Sequence, residues 1–130
     1  LNKPSEGSMD INDFYTADEH EKGREVAISN PSTGEPSDVV FIVRGPDSKT
    51  FRKAILASNR SSLETDDTDS MTELLVAVTI GWKGLKEGKG KESKDVPFSP
   101  ETARKIYDQS PDVATQIMTF VSQRQNFTKG

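Results

Sequence analysis

A single histidine, His20, is the first place to look for chemistry in this sequence. Imidazole is the side chain best suited to move protons near neutral pH, and most catalytic arrangements built on it need a second partner in reach. His20 sits in the acidic stretch ADEHE, which reads as a solvated tail rather than a rigid ligand set. The acids Asp66, Asp67 and Asp69 resemble the opening of a calcium loop. That loop requires acids at alternate positions, a central glycine and a terminal glutamate, and these are missing. Helix capping explains the three acids better. The segment GLKEGKGK from Gly84 has the look of a phosphate-binding loop, but only three residues separate Gly84 from Gly88, and no Lys-Ser or Lys-Thr pair follows. Lys83, Lys86, Lys89, Lys91 and Lys94 make a basic cluster diluted by Glu87 and Glu92, without arginine or interleaved aromatics. A nucleic-acid surface needs both charge density and stacking groups, so a solvated loop is the better reading. No catalytic residue, metal ligand or cofactor-binding residue emerges, and the expected cofactor list is none.

The rest of the composition agrees. The chain has 130 residues, a net charge of −4 and no cysteine. One modest domain fits that length, and neither disulfides nor thiolate metal sites are available. No apolar run is long enough for a membrane-spanning helix, and no basic-then-apolar leader begins the chain. Hydrophobic residues make up 32% and charged residues 29%, so the apolar groups must be concentrated to build a core. They collect in 39–43, 71–85 and 113–127.

The elements follow from these clusters. Residues 1–23 are acidic, poor in apolar groups, and read as a flexible N-terminal segment; Met9 is a candidate start, with 1–8 vector-derived. Phe14 and Tyr15 are its large side chains, either incidental or docked on the body or a partner. Val26 and Ile28 alternate with polar neighbours as in a half-buried strand, NPSTGEP is rich in turn formers, and Val39 to Val43 give a second strand. Alternation puts Val39, Phe41 and Val43 on one face and Val40 and Ile42 on the other. Both faces are apolar, and a lone hairpin cannot cover both. A helix is expected over about 48–60, bearing Phe51, Ile55 and Leu56. A second, from Ser70 to about Lys86, carries Met71, Leu74, Leu75, Val78, Trp82 and Leu85 at helical spacing. The β-branched run LLVAVTI leaves strand as an alternative there. A charged loop spans 86–97. Ser99-Pro100 and Ser110-Pro111 then open two further helices, the last carrying Val113, Ile117, Phe120 and Val121 and ending near Phe127. The expected fold is α+β, an N-terminal β-hairpin followed by a bundle of about four helices, in one domain over 24–127 with a 128–130 tail.

This order of features resembles the tail assembly chaperones of long-tailed bacteriophages. The likeness rests on Trp82 closing an apolar helix before the loop with Gly88, on the helix start Pro97-Phe98-Ser99-Pro100-Glu101, on Tyr107 and on the corner at Pro111, and it covers 24–127. It implies a non-catalytic protein that self-associates and binds the tape measure protein during tail morphogenesis. The tail tube protein and a longer frameshifted form are further implied partners, with no nucleic acid and no membrane. The implied location is the cytoplasm of the infected bacterium, outside the mature virion. A structural tail or head–tail connector component is the alternative reading. On this view the core is Val39, Phe41, Val43, Leu74, Leu75, Val78, Trp82 and Ile117. The contact residues for other chains are Val40, Ile42, Phe14, Tyr15, Phe120 and Phe127.

Overall fold

Asn30 organises the turn that starts the fold: its side chain accepts from the Ser32 N–H (2.8 Å) and its carbonyl from the Gly34 N–H (2.7 Å). The turn joins strands β1 (Arg24–Ser29) and β2 (Pro36–Val43), which pair antiparallel with Val26 opposite Phe41. A computed structural model describes residues 9–61 and 67–127, with the side chains of 58–61 and 67–69 excluded. The expectations about 1–8, 128–130 and Asp66 lie outside those residues, as do the side chains of Asp67 and Asp69, whose backbone opens the helix that follows the break. After a short N-terminal helix α1 (Ala17–Lys22) and the hairpin come α2 (Lys49–Ser61), α3 (Asp67–Val78), α4 (Pro100–Gln109) and α5 (Pro111–Val121). The fold is α+β, with the hairpin and the four later helices as the main parts.

One element differs from the periodicity reading. The helix expected to run to Lys86 stops at Val78, and Thr79–Lys83 becomes strand β3 on the free side of β2, with Phe41 opposite Trp82. Of LLVAVTI, the stretch for which strand was the alternative, Leu74 to Val78 are helical and only Thr79 and Ile80 are extended. Thr79, Ile80 and Trp82 favour extended backbone, and the second edge of β2 supplies a ladder that a longer helix would forgo. Arg44, just past β2, completes the switch: its N–H donates to the Val78 carbonyl (2.8 Å) and its Nη1 to that of Ala77 (3.2 Å). Those are end-of-helix acceptors that need a partner. Strand order is therefore β1-β2-β3, and β2 is central, not an exposed edge. The loop after it holds a two-stranded ladder, β4 (Lys86–Glu87) with β5 (Lys94–Asp95).

The core lies between the inner sheet face and α3, α4 and α5. Phe41, Val43, Leu75, Ile117 and Val121 are all within 2% of full burial. Each such side chain contributes roughly 1.5–3 kcal/mol of burial. Leu74 and Val78 are buried, while Val39 and Trp82 are half-buried against this cluster. Trp82 stacks near Phe41 and Phe98, with ring centroids 5.2 and 4.9 Å away, and its indole N–H donates to the Val96 carbonyl (2.8 Å). Met71, expected on the same stripe, is 45% exposed.

A buried hydroxyl pair ties β3 to α4. Thr79 Oγ1 and Tyr107 Oη lie 2.6 Å apart, and burial pushes the Tyr107 phenol up to about 12. The folded state therefore holds the neutral phenol, while the unfolded chain ionises near 10, so this stability is lost as pH rises from 10 towards 12. Tyr107→Phe should cost about 1 kcal/mol at neutral pH and remove part of the alkaline loss, both measurable by denaturant titration.

Candidate interaction faces and the buried His20 cluster

Strand alternation divides the sheet into two chemically different faces. The inner face is packed against helices. On the outer face, β1 presents Glu25 and Ala27, β2 presents Val40 and Ile42, and β3 presents Gly81 and Lys83, all paired across the ladder. Val40 and Ile42 are half-buried, and neither belongs to the core cluster of the described residues. Lys83 Nζ reaches Glu25 Oε1 (2.8 Å) across β2, with both side chains more than half exposed. So the second apolar face of the strand has a charged strap drawn from its own sheet rather than a helix.

The N-terminal aromatics form a second candidate face. Asp10 caps the turn Ile11–Phe14 in a reciprocal capping box with Asp13. Phe14 and Tyr15 follow at 65% and 66% exposure, so they are not docked on the body. Ile55, Leu56 and Met71 on α2 and α3 are also exposed, a feature the helical periodicity did not separate from core positions. Two of the expected contact residues belong elsewhere. Phe127 is fully buried, inside the turn Arg124–Phe127 after α5, and Phe120 is half-buried with its ring edge-on to Phe127 at 5.4 Å. The chain turns back after Val121, which a helix extrapolated to 127 does not anticipate.

His20 is the larger surprise. The acidic stretch read as a solvated tail forms α1, and the imidazole is fully buried, 5.1 Å from the Phe127 ring. The Asp47 N–H donates to Nδ1 (2.9 Å), so the neutral ring carries its proton on Nε2, 3.5 Å from Asp47 Oδ2. Asp47 itself accepts from Thr16 Oγ1 (2.6 Å) and from Arg124 Nε (2.9 Å). Nearby, Glu21 accepts from the Thr50 hydroxyl (2.7 Å) and pairs with Arg44. The cluster thus binds α1, the turn before α2 and the C-terminal turn to one another. Its ring offers no open edge to a substrate. Among the described residues, no group of three His, Asp or Glu side chains is placed to hold a metal ion. No helix among them is long and apolar enough to cross a membrane.

Burial holds the His20 pKa below 6.5; Arg124 and Arg24 add to this, and Asp47 and the Gly45 backbone oppose it. Protonating Nδ1 would also sacrifice the bond from the Asp47 N–H. The unfolded chain takes up a proton as pH falls through 6.5 and the folded chain resists, so folding stability falls on acidification below that point. Asp47 and Glu21, held below their ordinary values in the fold, extend the loss at lower pH. The slope from His20 approaches about 1.4 kcal/mol per pH unit. Melting curves from pH 7.5 to 5 should show it, and His20→Gln should flatten that window.

A family model described as YdaY prophage protein matches residues 47–130, from the turn that binds His20 through the last helix, leaving α1 and the hairpin outside the match. No curated protein and no solved structure matches the chain. The matched span is well over half the chain, and this protein therefore belongs to the YdaY prophage protein family and is phage-derived.

Proposed function

We propose that this protein is a non-catalytic assembly chaperone of phage tail morphogenesis, which self-associates and holds the tape measure protein in the cytoplasm of the infected cell. Phage descent supports the setting, and the resemblance of the sequence to tail assembly chaperones supports the role. The observation that carries the reading is the outer sheet face: Val40 and Ile42 stand outside the core cluster, with Phe14 and Tyr15 exposed on the N-terminal segment. Apolar surface of this kind serves association with other chains. An extended helical client would lay its apolar stripe along such surface, as in helix-in-groove recognition.

Co-expression with a tape measure fragment tests this. The fragment's soluble yield should rise several-fold, and Phe14→Ser with Tyr15→Ser should reduce the gain. An unchanged yield counts against the reading. Mass spectrometry of finished particles should lack this chain; its presence there would instead make it a structural tail or connector component.

A further inference from the structure

We propose that the outer face of the three-stranded sheet is a homodimer interface, in which two copies pack face to face about a twofold axis parallel to β2. The proposal rests on the self-association reading and specifies where that contact lies.

Register sets the pattern of this face. Glu25, Ile42 and Gly81 form one row across the sheet, and Ala27, Val40 and Lys83 form the next. β1 and β3 flank β2 on opposite sides, so one margin of the face is acidic, the other basic, and the centre apolar. A rotation about an axis along β2 keeps each row level but exchanges the margins. Glu25 of each copy then lies over Gly81 of the other, and Lys83 over Ala27. Long side chains meet positions with little or no side chain, while Ile42 and Val40 meet their own counterparts at the centre. Each Glu25 then has a Lys83 of its own chain at 2.8 Å and a Lys83 of the other copy one row away on the same margin, nearer than the like charge across the axis. A surface complementary to itself in size and in charge is what an isologous contact requires. Facing sheets pack about 10 Å apart, a gap these side chains fill.

The face is small, about 10 Å across three strands and about 7–17 Å along them from ordinary strand spacings. That is well below the roughly 800 Å² per partner of a standard stable interface, so the dimer should be weak and freely reversible on dilution.

Charge exchange tests the geometry. Glu25→Lys alone and Lys83→Glu alone each place like charges together, and each should weaken self-association at least tenfold in sedimentation velocity. An equimolar mixture of the two chains should recover a heterodimer, visible by native mass spectrometry. Ala27→Arg, at an exposed position, should block the contact without touching the core, with circular dichroism verifying the fold. An oligomer whose mass ignores these substitutions, or single variants that fail to recover on mixing, overturns this interface while leaving self-association standing. A wild-type chain that stays monomeric overturns both.

Discussion

Phe127→Ala should destabilise this protein by about 3–5 kcal/mol, the usual cost of emptying a fully buried phenylalanine site. The ring is completely enclosed, with His20 on one side and Phe120 on another. It also abuts Gly45, where even a Cβ would stand 2.6 Å from Cγ of the ring. Partial collapse is hindered because Arg24, Asp47 and Arg124 tie the surrounding segments in place: Arg24 donates to the Phe127 carbonyl, and Arg124 to Asp47. Small domains are stable by only about 5–15 kcal/mol, so the variant should lose a large share of its stability. Urea denaturation followed by circular dichroism measures this directly. A loss under about 1 kcal/mol would mean that the C-terminal turn is not part of the core.

Gly23→Ala should be nearly as damaging, at roughly 2–5 kcal/mol from two additive sources. Gly23 joins α1 to β1 with φ +83° and ψ 173°, backbone that only glycine adopts without strain. An added Cβ would also stand 2.7 Å from Ile80 Cδ1 and 2.8 Å from the Val43 carbonyl oxygen. Ile80 is the residue left over where the β2–β3 register shifts, and it reaches across to this junction. The substitution therefore strains the link and wedges two strands at once. The same denaturation experiment reads the loss, and a melting temperature within a degree of wild type would contradict the described junction.

These two sites show where sequence reasoning ends. The Ser-Pro starts at Ser99 and Ser110 were legible because capping is local: each serine side chain accepts from the N–H three residues on. The hairpin was legible from alternation and turn residues. β3 was not, because Leu74 to Trp82 is apolar at both periods, and the choice was made by Arg44 and the open side of β2, some forty residues away in sequence. His20 looked solvated because its neighbours are acidic; what buries it is Phe127, at the far end of the chain. The outer face was half legible. Val40 and Ile42 were correctly set opposite Phe41, but the strap from Glu25 to Lys83 depended on a strand read as helix.

Light scattering across a dilution series shows whether one copy leaves apolar sheet surface for another chain. The mass should lie at or above that of two chains at tens of micromolar and fall towards one chain on dilution. A single-chain mass at every concentration would contradict this.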